Sequence, residues 1–117
     1  MVIIIMGISG SGKTTVGKLL ASRLELPFYD GDDFHPDANI QKMAAGRPLN
    51  DNDRWPWLEE LGDKIREWNK EGGAVLGCSA LKESYRQKLA TIPETDLKWV
   101  LLHGSRETIK RRMEQRR

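Results

Sequence analysis

A phosphate-binding motif near the N-terminus constrains the fold of this chain more than any other feature. Residues Gly7 to Thr14 match the pattern G-x-x-x-x-G-K-[ST] at every fixed position and directly follow the apolar run Val2 to Met6. Apolar residues then recur at helical spacing, namely Val16, Leu19, Leu20 and Leu24. The motif requires a strand before it and a helix after it, and both patterns are present. The sequence therefore predicts a loop that holds a nucleoside triphosphate.

Each part of this loop has a predicted contact. Glycines allow positive φ and close approach, so that backbone N–H groups form an anion nest at the start of a helix. We expect Lys13 to bridge the β- and γ-phosphates and the Thr14 hydroxyl to ligate Mg²⁺. Thr15 either contacts a phosphate or caps the helix. The predicted nucleotide-binding residues are Gly7, Ser9, Gly10, Ser11, Gly12, Lys13, Thr14 and Thr15.

Composition excludes several classes of protein. The chain has 117 residues, which fits a single domain spanning 1–117 but falls short of the roughly 150 residues expected of one. Charged residues make up 31% of the chain and the net charge is +2, so we expect neither a nucleic-acid nor a membrane partner. The single cysteine, Cys78, excludes an internal disulfide and is typical of a reducing compartment, which favours a cytoplasmic location.

Strand and helix patterns alternate along the rest of the chain. We expect strands at 26–30, 74–78 and 99–103, and helices near 58–68, 81–89 and 105–117, with a brief helix within 39–45. Pro56 suits the first turn of its helix, and Ser105 is a plausible N-cap. The alternation predicts an α/β fold with a parallel sheet and helices on both faces. Three tryptophans are predicted to lie in the core, namely Trp57, Trp68 and Trp99.

Ligands of such sheets bind beyond the carboxyl ends of the strands, where this chain carries several carboxylates. We expect Asp30 to hold Mg²⁺ through water. Asp32 faces the same way if the chain stays extended, and would accept or orient the proton of a substrate hydroxyl. Asp33 is expected to cap a turn. Cys78-Ser79 stands where a motor ATPase would place a carboxylate, and no N-K-x-D motif indicates a GTPase. This layout is typical of small-molecule kinases.

The chain resembles the gluconokinases along its whole length. The resemblance rests on Asp30-Gly31-Asp32, His35-Pro36, Asn39, Lys42-Met43, Gly46, Pro48-Leu49, Asp51, Asp53-Arg54, Pro56-Trp57-Leu58, Cys78-Ser79-Ala80-Leu81-Lys82 and Tyr85-Arg86. It implies a three-layer P-loop kinase fold with ATP and Mg²⁺ as cofactors. The implied reaction transfers the γ-phosphoryl group of ATP to the terminal hydroxyl of D-gluconate, giving 6-phosphogluconate. A homodimer is a further expectation from the resemblance.

A gluconate site needs a cation for the carboxylate and polar partners for the hydroxyls. Arg54 is the leading candidate, since guanidinium matches carboxylate geometry. Lys82 and Arg86 are four apart on a predicted helix, so they could bind substrate or phosphate together; a solvated basic face is the alternative for Arg86. His35 contacts a substrate hydroxyl or stabilises its loop. The predicted substrate-binding residues are Asp32, His35, Arg54, Ser79, Lys82 and Arg86, and the predicted catalytic residues are Lys13 and Asp32.

The resemblance also implies elements beyond Arg117. The basic C-terminal helix would lead into a lid that starts near 112–117 and carries Arg112, Arg116 and Arg117. An adenine-contacting loop, a last strand and a last helix would follow, and we expect this chain to lack them. The segment 31–57 is expected to be a substrate-facing insertion. Two alternatives stay open: a nucleotide-binding fragment with little turnover, and a kinase for another small hydroxyl acceptor such as shikimate.

Overall fold

Four parallel strands form one sheet in the part of the chain that the structure describes. The computed structural model describes residues 1–7, 12–79 and 82–102. The strands are β1 (Val2–Met6), β2 (Phe28–Asp30), β3 (Ala74–Cys78) and β4 (Leu97–Leu101), in the order β2-β3-β1-β4. The helices are α1 (Lys13–Leu24), α2 (Asp37–Ala44), α3 (Asp51–Lys70) and α4 (Glu83–Leu89), with 3₁₀ turns at Gly31–Phe34 and Glu94–Asp96. The predicted α/β fold with a parallel sheet is confirmed.

The central strand β1 divides the core into two apolar layers. Its residues are all buried, as expected of a parallel strand covered on both faces. Ile3 and Ile5 pack with α1, whereas Val2, Ile4 and Met6 pack with α3 and α4. Successive side chains of a strand point to opposite faces, so helices on both sides are required to cover this one. The three-layer arrangement is therefore confirmed.

Helix α1 lies where the helical spacing of its apolar residues predicted a helix, although two of its leucines are exposed. Leu19 and Leu24 are 39% and 47% exposed, while small residues of α1 face the sheet. A methyl group on Gly17 would lie 2.2 Å from Cε1 of Phe28 in β2. This close approach of helix to strand needs a residue without a side chain at position 17, which the spacing of the apolar residues did not indicate.

Helix α3 begins earlier than predicted, because a reciprocal capping box starts it at Asp51. The Asn50 side chain accepts a hydrogen bond from the Asp53 N–H at 2.8 Å, and Asp53 Oδ2 accepts one from the Asn50 N–H at 3.0 Å. Pro56 is consequently the sixth residue of the helix and lies inside it, not in its first turn. Segment 31–57 thus comprises the Gly31–Phe34 turn, α2 and the first turns of α3.

The remaining predicted elements agree to within a few residues. The second and fourth strands occupy Phe28–Asp30 and Leu97–Leu101, where we had predicted 26–30 and 99–103. Trp57 and Trp68 are buried as predicted, and Trp99 is half-buried against the same core. The predicted C-terminal helix, with Ser105 and the arginines of the proposed lid, lies outside the described residues. No helix in the described ranges is long and apolar enough to cross a membrane.

Candidate active site

The phosphate loop ends in a helix whose N-terminus is not capped by a side chain. Gly12 is the N-cap of α1 and has φ of 91°, a left-handed conformation that glycine adopts without strain. The Lys13 ammonium donates to the carbonyl of Gly7, the first residue of the motif, at 2.7 Å. Thr14 and Thr15 are exposed, and Ser9, Gly10 and Ser11 lie outside the described residues. A helix N-terminus that no side chain caps and a nearby ammonium fit a phosphate group.

The acidic residues after β2 lie in a tight turn. Asp30 Oδ1 accepts a hydrogen bond from the Asp32 N–H at 3.0 Å, and Gly31–Phe34 forms a 3₁₀ helix. The assumption of an extended chain was therefore wrong: Asp32 faces solvent, with its side chain 71% exposed. Asp33 is also exposed. The Trp57 indole donates to the Gly31 carbonyl at 2.7 Å, which ties the turn to α3.

His35 is buried between the turn and the two helices that follow. Its ring stacks on Trp57 with centroids 4.2 Å apart, and its Nδ1 lies 3.2 Å from the Asn39 amide nitrogen. That nitrogen also donates to the Asp53 carbonyl at 2.8 Å, which fixes it as a donor and makes Nδ1 an acceptor. The neutral ring then carries its proton on Nε2, which lies 3.9 Å from Asp32 Oδ1. His35 therefore makes the kind of contact that its loop-stabilising alternative requires, through Asn39 and Trp57.

Arg54 and Lys82, both predicted to bind substrate, line one pocket. The pocket encloses about 480 Å³ and is lined by Leu49, Asn50, Asp51, Asn52, Arg54 and Lys82. Arg54 Nη1 donates to the Tyr85 hydroxyl at 3.0 Å, and that hydroxyl donates to Asp51. Lys82 Nζ lies 3.0 and 3.2 Å from the two oxygens of Asp51. A chain of polar contacts therefore joins the two cations.

The sequence interpretation did not assign Asp51 or Tyr85 to the site. Residues Asn50 and Asp53 have the spacing of a capping box, which would have started α3 at Asp51 and placed Arg54 less than one turn later. No comparable local signal pairs Asp51 with Lys82, because they are 31 residues apart.

Hydrogen bonds and burial shift the pKa values of Asp51, Asp53, Lys82 and His35. The Tyr85 hydroxyl, followed by Lys82, lowers the pKa of Asp51, and the bond to Asp51 raises the pKa of Lys82. A bond from Lys42, with a second from the Asn50 N–H, lowers the pKa of Asp53. Burial lowers the pKa of His35, which favours its neutral form. These shifts favour the charged forms of Asp51, Asp53 and Lys82 and the neutral form of His35.

The last two predicted substrate residues flank the start of α4. We predicted that Lys82 and Arg86 lie on one face of the same helix. Lys82 is instead the N-cap of α4, with an extended backbone, and only Arg86 lies within the helix. Arg86 is half-buried within α4, and Ser79 is exposed at the end of β3. Within the described ranges, no group of three or more His, Cys, Asp or Glu residues could hold a metal ion. Mg²⁺ commonly takes one or two carboxylates together with substrate phosphates, so a nucleotide-bound Mg²⁺ does not require such a group.

Comparison with known proteins identifies the family. An AAA domain model matches residues 3–117. The chain is 48% identical to "Probable gluconokinase" of Xenopus tropicalis over 132 residues, covering 100% of this chain and 70% of that protein. It is 46% identical over 115 residues to "Thermosensitive gluconokinase" of Escherichia coli (strain K12), covering 97% and 60% of the two chains. The chain belongs to the gluconokinase family.

A solved gluconokinase supports the same assignment. The crystal structure of a gluconokinase from Sinorhizobium meliloti 1021 superimposes with a TM-score of 0.79 at 46% identity, covering 97% of this chain and 63% of that one. The chain thus spans between 60% and 70% of the length of these three gluconokinases. The resemblance and the P-loop kinase fold inferred from the sequence are confirmed.

Proposed function

We propose that this chain forms the nucleotide- and acceptor-binding part of an ATP-dependent kinase that phosphorylates D-gluconate at its terminal hydroxyl, giving 6-phospho-D-gluconate and ADP. One observation carries the proposal. Two cations, Arg54 and Lys82, line a single pocket beside segments that follow the carboxyl ends of β2 and β3. The phosphate loop follows β1 at the same edge of the sheet, so an acceptor in the pocket lies near the nucleotide.

The phosphate loop provides the nucleotide end of the proposed site. ATP supplies the phosphoryl group and Mg²⁺ neutralises its charge when both are bound. Lys13, whose ammonium bonds to the Gly7 carbonyl at the start of the loop, is proposed to bridge the β- and γ-phosphates. Thr14 is exposed at the first turn of α1, and Asp30 ends β2, so both can reach a metal ion directly or through water. The uncapped N–H groups of α1 complete the anion site.

Asp32 is the residue proposed to receive the proton of the acceptor hydroxyl. Its exposed carboxylate can meet a hydroxyl entering from the pocket. His35 carries its proton on Nε2, on the side of the ring that faces Asp32, so it can orient either that carboxylate or a substrate hydroxyl. Phosphoryl transfer depends mainly on positioning and charge neutralisation, so a weak base at this place is sufficient.

The pocket provides the carboxylate end of the acceptor site. Arg54 offers a planar set of N–H donors suited to a carboxylate, and its bond to Tyr85 fixes the guanidinium in place. Lys82 contributes a second positive charge at the pocket wall. Ser79 and Arg86 are proposed to contact acceptor hydroxyls or the transferred phosphate from the β3–α4 side. A cytoplasmic location and a homodimer are further parts of this proposal.

The decisive experiment measures ADP release with ATP and Mg²⁺ in the presence of D-gluconate, shikimate or no acceptor. The 117-residue chain is compared with a form extended by the C-terminal segment that a relative carries. Gluconate-dependent release supports the proposal. Shikimate dependence contradicts the acceptor assignment, and acceptor-independent release contradicts the kinase assignment.

A second candidate function is a nucleotide-binding unit with little turnover of its own. It is favoured by the fact that the chain spans between 60% and 70% of the compared gluconokinases. Chemistry of this kind needs water to be excluded from the phosphates, which a covering segment provides. If gluconate-dependent turnover is found only in the extended form, the 117-residue chain is a nucleotide-binding unit with little turnover.

A further inference from the structure

We infer that Asp51 sets the charge selectivity of the acceptor pocket: by pairing with Lys82 it leaves one net positive charge, which matches an acceptor with a single carboxylate. The inference rests on the proposed function and names a specificity residue for it. Among the residues that the structure describes, three charged side chains line the pocket: the carboxylate of Asp51 and the cationic groups of Arg54 and Lys82. Two cations and one anion leave the wall singly positive.

The Asp51–Lys82 pair is built into the pocket wall. The Lys82 ammonium bridges both carboxylate oxygens, at 3.0 and 3.2 Å, and the Tyr85 hydroxyl donates to the same carboxylate. The side chains of Lys82 and Asp51 are 58% and 48% exposed, so the pair opens toward the pocket instead of being sealed behind it. An acceptor entering the pocket therefore meets a lysine whose charge is already balanced.

Arg54 carries the positive charge that is left. Its Nη1 bonds to the neutral Tyr85 hydroxyl rather than to a carboxylate, and this contact uses one of the five N–H donors of a guanidinium. Next to Arg54 in sequence, Asp53 forms an ion pair with Lys42, whose Nζ lies 2.6 Å from Asp53 Oδ2, so these two charges balance each other. Arg54 is thus the cation available to a carboxylate.

The net charge has a direct consequence for selectivity. One carboxylate balances the wall, whereas a second one would bring excess negative charge close to Asp51. A neutral polyol would leave the positive charge without a partner. Because the pair is half-exposed and screened by water, each unmatched charge should change affinity by roughly fivefold, the effect of an exposed ion pair.

The test uses three ligands that share a six-carbon polyhydroxy chain: D-gluconate with one carboxylate, D-glucarate with two and D-glucitol with none. Their affinities are measured by isothermal titration calorimetry, which does not require turnover. We expect the wild-type chain to prefer gluconate. Asp51→Asn should raise the glucarate-to-gluconate affinity ratio by roughly fivefold, because it adds one net positive charge to the wall. Asp63→Asn is the matched control, since Asp63 pairs with Arg66 on the same helix outside the pocket.

Two further variants separate charge from structure. Lys82→Gln should lower the affinity ratio of gluconate to glucitol, because it removes a positive charge. Combining Lys82→Gln with Asp51→Asn restores the net charge of the wall and should return the glucarate-to-gluconate ratio toward the wild-type value. A purely structural role of Asp51 would not be rescued by a second substitution.

The outcomes distinguish this inference from the function on which it rests. If the wild type binds gluconate but neither Asp51→Asn nor Lys82→Gln changes the affinity ratios, the selectivity role is overturned and the proposed acceptor stands. If the wild type binds none of the three ligands, the proposed acceptor fails, and the selectivity role fails with it.

Discussion

Individual side chains of the site were predictable where their chemistry is local. Lys13 was identified from a motif whose fixed positions are adjacent in sequence. Arg54 and Lys82 were identified as cations suited to an anionic acceptor, and the structure brings both to one pocket. Asp51 and Tyr85 belong to the residues that carry the family resemblance, but they were not assigned to the site because their contacts depend on the packing of α3 against α4. Pairing between residues far apart in sequence leaves no local pattern to detect.

Replacing Lys13 tests the phosphate loop. We expect Lys13→Ala to weaken ATP binding and to reduce gluconate-dependent ADP release by about 100-fold or more, since a charge that stabilises the transferring phosphoryl group is lost. Calorimetry and a coupled ADP assay on the most active form of the chain measure both effects. Lys18→Ala, an exposed site on the same helix, is the control. Near-normal rates in Lys13→Ala would remove the loop from the mechanism.

Replacing Arg54 tests the acceptor carboxylate site. Arg54→Ala should raise the KM for gluconate by about tenfold or more with a smaller effect on kcat, because it removes a charge-assisted contact made before the reaction. Arg54→Lys should restore little, since a lysine lacks the planar donor pair. Steady-state kinetics at saturating ATP give the two constants. An unchanged KM in Arg54→Ala would contradict the role of this residue.

Among the elements, helix α3 shows how a short polar signal shifts a boundary. Its apolar spacing predicted the buried stripe of Leu58, Leu61 and Ile65, which the structure confirms. The start was misplaced because Pro56 was assigned to the first turn, although the capping box at Asn50 begins the helix at Asp51, five residues before Pro56. That shift brings Asp51 and Arg54 into the helix and so to the pocket. The N-terminal turns of α3 therefore both start the helix and supply residues to the proposed acceptor pocket.

The capping box offers a stability test at this boundary. Asn50→Ala should lower the free energy of unfolding by about 1 kcal/mol, because it leaves the Asp53 N–H without its side-chain acceptor. Asn50→Gly should cost only a few tenths of a kcal/mol, since glycine is a better N-cap than alanine. Asn52→Ala, two residues further along, is the control. Urea unfolding gives the comparison, and equal losses for alanine and glycine would contradict the cap.

At the scale of the whole molecule, the shifted pKa values of His35, Asp51 and Asp53 make the free energy of unfolding depend on pH in two separate ranges. His35 has a pKa lowered from 6.5 by burial. Above pH 6.5 it is neutral in both states and contributes nothing; below that value the unfolded chain takes up the proton first. The free energy of unfolding should then decrease as the pH falls from 6.5 to the lowered pKa of the folded state. Asp51 and Asp53, with pKa values lowered from 3.8, stabilise fully above that value and lose their contribution below it.

Thermal or urea unfolding between pH 7 and pH 3 measures both regions. His35→Gln should remove the decrease in the free energy of unfolding that begins below pH 6.5. The decrease below pH 3.8 should remain, and it serves as an internal control. An upper slope that persists unchanged in His35→Gln would show that another group causes it. Asp53→Asn should in turn reduce the loss in the acid region, because one of the two carboxylates no longer titrates.

Sequence alone was enough for the features that depend on neighbouring residues: the strand–loop–helix unit around Lys13, the alternation of strands and helices, and the family. It could not give the strand order, the exposure of Leu19 and Leu24, or the contact of Asp51 with Lys82 and Tyr85. The physical reason is the range of the interactions. Helical periodicity, caps and glycine loops depend on interactions over a few residues. Which helix faces are buried and which charged side chains pair depends instead on packing between segments that are far apart in sequence. The acceptor pocket exists only once α3, the β3–α4 connection and α4 are packed together.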